Sequence, residues 1–547
     1  MDRRTFIGAG TVAAAGMLID VPRVSAQPQA SRGGSTGPIV ETTAGRVRGY
    51  MQDRVNAFRG IPYGASTAGA NRFMPPQKPQ SWTGVRDALE IGLRAPQDQD
   101  ARVPEWFVMD RTEPQGEDCL MLNVWTNGLS DGQKRPVMVW LHGGGFTGGS
   151  GGFTVYDGAN LARKHNVVVV GINHRLNGFG FLYLGDIGGE QYASGNPGML
   201  DIVASLEWVR DNIERFGGNP ASVTVFGQSG GGSKVSTLLG MLAAKGLFHR
   251  AIAQSGSQVR STTREQATRT AQALLTKLNI APTQLDRLHQ MPMRQLRDVI
   301  NAGGNGIGGW GPVVDGRTLP AHIFDPVATD ISSDVPLMIG STETEQTWNE
   351  GQFYDPLSDA ELREDVMRAL RADEASANRV IALYKKNRPR ASNLDLYLIL
   401  SSDASNFRTG TDTEAERKAA QGRAPVYKYY FQWYSPVRGG MLRSMHTMDV
   451  PFVFENTGIA QSELGTGPEL QVLADKMAGA WVAFAREGKP NHGLIPNWPA
   501  YDLTTRPTMV FNTETRVMNN PYGEEKAAIA AARGPAQGRG AGPAPSA

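Results

Sequence analysis

A serine set among glycines offers the first chemistry. Gly227-Gln228-Ser229-Gly230-Gly231 follows the apolar run Val223-Thr224-Val225-Phe226 and precedes a helical pattern in Ser233, Val235, Leu238, Leu239 and Leu242. Between a strand and a helix, Gly-x-Ser-x-Gly makes a nucleophile elbow. The serine takes a strained backbone that lifts its hydroxyl clear of the sheet, and only neighbours without Cβ let strand and helix come that close. The expected chemistry is attack of the Ser229 oxygen on an acyl carbon. Such attack needs donors for the oxyanion it creates. His142-Gly143-Gly144-Gly145-Phe146 follows a second apolar run, and its bare glycines leave backbone N–H groups free to converge on one.

The serine also needs a base, and elbow enzymes carry their partners in the order serine, acid, histidine. Of the eight histidines, His249, His289, His322, His446 and His492 follow Ser229. His446 falls in a loop before the aromatic segment Pro451-Phe452-Val453-Phe454; by itself it reads no differently from a surface histidine. Glu343 and Glu345 both follow the run Leu337-Met338-Ile339, and spacing does not separate them. Lys234, one helical step past the elbow, is read as a cation snorkelling to the surface.

The elements that position these residues can be read from periodicity. Val137 to Leu141, Val167 to Val170, Val223 to Phe226 and Leu337 to Ile339 are short apolar runs, the pattern of strands buried on both faces. Met199 to Phe216 repeats apolar residues at three- and four-residue steps and predicts a helix. Strand, helix, strand implies a mostly parallel sheet, an α/β fold. Val47 to Tyr50 and Val55 to Arg59 predict short antiparallel edge strands. A further strand is expected over Val426 to Trp433 and a helix over Glu469 to Arg486.

Composition narrows the class. With 547 residues, 40% of them hydrophobic and 20% charged, the chain is a folded, soluble protein, and 55 basic against 53 acidic residues leave no basic surface for a phosphate backbone. No nucleic acid partner is expected. The single cysteine, Cys119, excludes an intramolecular disulfide and a cysteine-rich metal site. At the N-terminus, Arg3-Arg4-Thr5-Phe6-Ile7, a mildly apolar stretch to Ile19 and the small-residue pattern Val24-Ser25-Ala26 resemble a twin-arginine export signal. The apolar stretch falls short of the ~20 residues that span a bilayer. The organisation expected is a signal over 1–26, a linker over 27–37, a catalytic domain over 38–521, and a C-terminal helix with a disordered Gly/Pro/Ala-rich tail over 522–547. The mature protein is expected to be periplasmic or secreted, with no membrane attachment after signal cleavage.

Ordered motifs from Val40 to Asn520 resemble the type-B carboxylesterases, the family of bacterial para-nitrobenzyl esterases and animal cholinesterases. They include Phe58-Arg59-Gly60-Ile61-Pro62-Tyr63, Glu117-Asp118-Cys119-Leu120-Met121-Leu122-Asn123-Val124, Asn173-His174-Arg175-Leu176, Gly195-Asn196-Pro197-Gly198, Phe216-Gly217-Gly218-Asn219-Pro220, Gln254-Ser255-Gly256 and Pro312-Val313-Val314-Asp315-Gly316, beside the two glycine motifs above. The resemblance implies an α/β-hydrolase fold, with antiparallel edge strands and helical insertions around an active-site gorge. It places the acid at Glu345 and the base at His446, with oxyanion donors at Gly144, Gly145 and Gly230. Ser255 is implied as a supporting hydroxyl, with Gln228 as a second supporting residue; Trp310, just before Gly311-Pro312-Val313, reads equally as a pocket wall or as a core tryptophan. The implied reaction is hydrolysis of a small-molecule carboxylic ester through an acyl-enzyme, with no cofactor and no metal. Amides, carbamates or lactones could react at the same residues. A binding protein on this fold is disfavoured because Ser229, Glu345 and His446 are all present.

The departures bear on substrate. Gln228 and Gly230 stand where the family usually has Glu and Ala, which removes a negative charge beside the acyl site. Gln346 stands where Gly is usual. Cys119 matches one half of a family disulfide, but the partner region Ala95-Pro96-Gln97 has no cysteine.

Overall fold

A computed structural model describes residues 37–98, 107–108, 113–348 and 356–533. The export signal, all but the last residue of the linker, and the tail from 534 lie outside the described residues. Eleven strands form one sheet: β1 (Tyr50–Gln52), β2 (Val55–Pro62), β3 (Met121–Thr126), β4 (Arg135–Leu141), β5 (Val168–Ile172), β6 (Gly218–Gln228), β7 (Arg250–Gln254), β8 (Leu337–Thr342), β9 (Val426–Phe431), β10 (Pro507–Phe511) and β11 (Arg516–Asn519). Their spatial order is β11-β10-β9-β8-β7-β6-β4-β5-β3-β2-β1. The strands from β10 to β5 in that order pair in parallel. Antiparallel pairs close both edges, through β3, β2 and β1 on one side and β11 on the other.

The apolar runs explain the layering. Successive side chains of a strand point to opposite faces, so Val137, Val139 and Leu141 of β4 enter one core while Met138 and Trp140 enter the other. The first face is covered by α1 (Pro197–Asn212) and α2 (Gly230–Leu238), through residues such as Met199, Ile202, Leu206, Val235 and Leu238. The second is covered by a long later helix, Pro468–Glu487, through Leu473, Met477, Trp481 and Phe484. Two helical lobes stand outside these layers. One packs α3 (Arg264–Lys277) and α4 (Met293–Ala302) against Phe179 and Leu182. The other packs α5 (Asp359–Leu370), α6 (Glu374–Asn387), α7 (Asn393–Ala404) and the C-terminal helix Gly523–Arg533 around Tyr384, Leu398 and Ile529.

Two elements differ from the sequence reading. Val47 to Tyr50 is not one strand: Arg46–Arg48 joins a separate small sheet with Ile39–Glu41 and Val85–Asp87, while Tyr50–Gln52 joins the large one. The chain turns at Gly49, where a Cβ would sit 2.4 Å from the Ala57 carbonyl oxygen. The helix expected over 199–216 starts two residues earlier, with Pro197 in its first turn, and tightens into a 3₁₀ turn at Ile213–Phe216. Cys119 is a free, buried thiol. No helix among the described residues is long and apolar enough to cross a membrane.

Parallel strands place their carboxyl ends on one edge, where crevices form. Strands β4, β6, β7 and β8 end at Leu141, Gln228, Gln254 and Thr342, so His142, Ser229, Ser255 and Glu345 all emerge on that edge.

Candidate active site

Ser229 joins β6 to α2 with φ 57° and ψ −126°, a left-handed backbone that a non-glycine residue rarely adopts. Its amide donates to the Gln254 carbonyl at 2.8 Å. The surroundings are too tight for side chains: a Cβ on Gly231 would stand 1.9 Å from the Leu141 oxygen, and one on Gly256 1.9 Å from the Ser229 oxygen. The hydroxyl is therefore held at the crevice floor, with Ser229 8% exposed.

Gly144 and Gly145 adopt φ 85° and 59°, and the chain turns back over the elbow there. A Cβ on Gly230 would stand 2.1 Å from the Gly145 oxygen, so donor loop and elbow are in contact. The amides of Gly144, Gly145 and Gly230 have no acceptor among the described residues. Unmatched N–H groups at the mouth of a strand–helix turn form a receptor for a negatively charged oxygen.

The five histidines after Ser229 now separate. The His249, His289, His322 and His492 rings bond the Val223 amide, the Tyr192 hydroxyl, the Ser261 amide and the Lys476 carbonyl respectively. His446 alone among them faces a buried carboxylate: its Nδ1 donates to Glu345 Oε2 at 2.5 Å. Glu345 is fully buried, and its Oε1 accepts from the Thr342 amide at 2.8 Å. Burial pushes the Glu345 carboxyl up, but His446, with help from Ser255 and Arg408, outweighs it and holds the group below its ordinary value. Glu343 is excluded from this pairing. It accepts from Gln432 Nε2 at 2.8 Å instead, and burial raises its pKa.

Ser255 lies beside Glu345, although its buried hydroxyl completes no hydrogen bond among the described residues. Gln228 donates from Nε2 to His446 Nε2 at 3.2 Å. That nitrogen faces Gln228 rather than the Ser229 hydroxyl, which has no hydrogen bond to His446 among the described residues. Trp310 is half-buried and packs against both the central core and the lobe of α3 and α4.

The surface reading of Lys234 is overturned. The side chain is 0% exposed, and its Nζ donates to the His142 carbonyl at 2.9 Å. A helical side chain leans toward its own N-terminus, which here points Lys234 under the donor loop and away from solvent. Sequence reading also missed Phe407, whose ring lies 4.5 Å from that of His446, and Asp449 behind the pair. Burial raises Asp449 to about 6 while it accepts from Gln254 Nε2 and the Tyr429 hydroxyl. Neither carried a motif; Phe407 arrives from a helix over 170 residues beyond the elbow. No group of three or more His, Cys, Asp or Glu among the described residues could hold a metal ion.

Comparison with known proteins places the chain in a family. The carboxylesterase family model covers residues 36–529. The para-nitrobenzyl esterase of Bacillus subtilis (strain 168) is 36% identical over 511 residues, which span 91% of this chain and 100% of that one. The phenmedipham hydrolase of Pseudarthrobacter oxydans is 32% identical over 88% of this chain and 96% of its own. A solved structure of an esterase from Clostridium hathewayi, described as hydrolysing aliphatic aromatic polyesters, superposes with a TM-score of 0.79 at 34% identity, covering 91% of this chain and 98% of that one. With its α/β-hydrolase fold, the chain belongs to the carboxylesterase family and is a carboxylic ester hydrolase.

Proposed function

We propose that the chain hydrolyses esters through an acyl-enzyme on Ser229, with His446 as base and Glu345 as its partner. The observation that carries this reading is the buried Glu345–His446 bond, set on the same edge of the sheet as the strained Ser229 turn. His446 Nε2 takes the Ser229 proton as the oxygen attacks the ester carbon. The carbonyl oxygen becomes an oxyanion, which accepts from the amides of Gly144, Gly145 and Gly230. His446 then gives its proton to the departing alcohol, leaving an ester on Ser229. Water, deprotonated by the same imidazole, attacks that ester and releases the acid. Glu345 fixes the imidazole with Nδ1 protonated and stabilises its charged form, the role of the acid in serine triads.

The substrate is a small ester with a neutral alcohol portion. Gln228 supplies no negative charge beside Ser229 to attract a cationic one, and two of the three relatives named above are described as a para-nitrobenzyl esterase and a polyester-hydrolysing esterase, the third as a phenmedipham hydrolase. Hydrolysis of para-nitrophenyl butyrate by the mature chain, beside Ser229→Ala at equal concentration, tests the reading. The variant is expected to lose about 10⁴-fold or more. Equal activity in both would show Ser229 to be the wrong serine.

Export by the twin-arginine route is proposed on Arg3-Arg4-Thr5-Phe6-Ile7 and the segment up to Ala26. Replacing Arg3 and Arg4 together by lysine should leave the activity in the cytoplasmic fraction. Unchanged release to the periplasm or medium would overturn the proposal.

A further inference from the structure

Lys234 is a buried cation whose only polar partner among the described residues is a carbonyl. Its Nζ donates to His142 O, and the Phe146 ring centroid lies 5.7 Å away. No carboxylate among the described residues acts on it; burial, which lowers its pKa to about 7, is the cause of its shift. The titratable groups facing it are His142 and His174, whose rings stack at 4.8 Å. Burial and then the charge of Lys234 push both imidazoles down, so both are neutral. Arg175 beside His174 is neutralised by Asp201 at 2.6 Å. With Lys234 protonated, as it mainly is below about pH 7, the cluster carries one uncompensated positive charge, directly beneath the first residue of the donor loop.

Burying an unpaired ammonium costs several kcal/mol. An apolar residue of that length would fill the same space at no such cost. The charge becomes favourable only when a negative charge appears nearby, and the site creates one at each tetrahedral intermediate, on the amides of Gly144, Gly145 and Gly230. Gly143, next to the clamped carbonyl, lies against the nucleophile: a Cβ there would be 3.4 Å from Ser229 Cβ. We propose that Lys234 is a positioning residue of the oxyanion site, fixing the donor loop through the His142 carbonyl and supplying a buried positive charge that favours the tetrahedral oxyanion over the neutral ester. The proposal rests on the Ser229 acyl-enzyme reading and goes beyond it.

Two variants separate the charge from the clamp. Lys234→Met removes both, and Lys234→Gln keeps a donor without charge. Each is measured for melting temperature, for kcat and KM on para-nitrophenyl butyrate, and for inhibition by an aryl trifluoromethyl ketone and the matching methyl ketone. The fluorinated ketone adds the Ser229 oxygen to its carbonyl carbon, and the hydroxyl proton passes to His446, leaving an oxyanion; the methyl ketone binds without that charge. For Lys234→Met, kcat is expected to fall by about 30-fold or more with KM changed by less than about threefold, since the effect belongs to the transition state. Affinity for the trifluoromethyl ketone should fall by a similar factor while the methyl ketone is unaffected, and Lys234→Gln should recover only a minor part. A folded Lys234→Met with kcat near wild type overturns the proposal. So does equal weakening of both ketones, which marks a merely structural role, or full recovery in Lys234→Gln, which removes the need for charge. Failure of the underlying reading is distinguishable, because there Ser229→Ala itself stays active.

Discussion

Gln228 Nε2 donates to His446 Nε2 at 3.2 Å, and so occupies the nitrogen that must take the Ser229 proton. The amide can donate to that nitrogen only while it is unprotonated, so this bond belongs to the neutral imidazole. Its own Oε1 is buried without a partner among the described residues, so the side chain is held at some cost. Gln228→Glu would put a carboxylate beside the imidazole and favour the protonated, inactive form. The acid limb of kcat/KM should then move to higher pH by about one unit, with the plateau above it nearly unchanged. An unmoved acid limb would mean that Gln228 does not act on His446.

Glu345 and Glu343 make a paired test of the acid. Glu345→Gln keeps the side-chain shape but removes the charge that favours the imidazolium and permits the wrong tautomer. It should lower kcat by about 10³–10⁴-fold. Glu343→Gln, on the Gln432 side, should keep activity within about threefold. The reverse pattern in steady-state assays would reassign the acid.

Gly230→Ala probes the contact between elbow and donor loop. The new Cβ would meet the Gly145 carbonyl oxygen at 2.1 Å, a backbone atom that can yield only by moving the loop. Since displaced donors lose most of their hold on the oxyanion, kcat should fall by about 10- to 100-fold with little change in KM. A variant at wild-type kcat would show that the loop has room to spare.

The legible and illegible parts of this site differ in range. The elbow and the donor loop were readable because their chemistry is local: strand, glycines and helix adjoin in sequence. The parallel sheet was readable for the same reason, through runs such as Val137 to Leu141 that feed both cores. Glu345 against Glu343 was not, because two residues apart they face different neighbours only once Thr342 bonds one of them. Lys234 was misread because its burial depends on the His142 carbonyl, 92 residues upstream. Phe407 reaches His446 from another helix, and Asp449, three residues past His446, is fixed by Gln254 and Tyr429 from distant strands, so neither packing leaves a local pattern.

Glu414 links the elbow helix to pH-dependent stability. It stands on the helix Asn406–Ala420, fully buried, and accepts from Ser236 Oγ of α2 at 2.8 Å and from the Gln258 amide. Burial raises it to about 8, against an ordinary value of 4.5. The sign follows from proton counting. Between about pH 4.5 and 8 the folded state keeps the proton and the unfolded state releases it, so folding takes up a proton and stability falls as pH rises. At 1.36 kcal/mol per pKa unit, the ceiling on this loss is about 5 kcal/mol. Glu414→Gln keeps an uncharged side chain at both ends of the window and should remove its share. Urea unfolding at pH 5.5 and pH 8 should give a smaller difference for the variant than for the wild type, with the gain at pH 8. Glu463, raised to about 8, and Asp449 titrate in the same direction and remain in both proteins, so a residual slope is expected. An identical pH difference in the two proteins would mean that Glu414 is ionised in the folded chain.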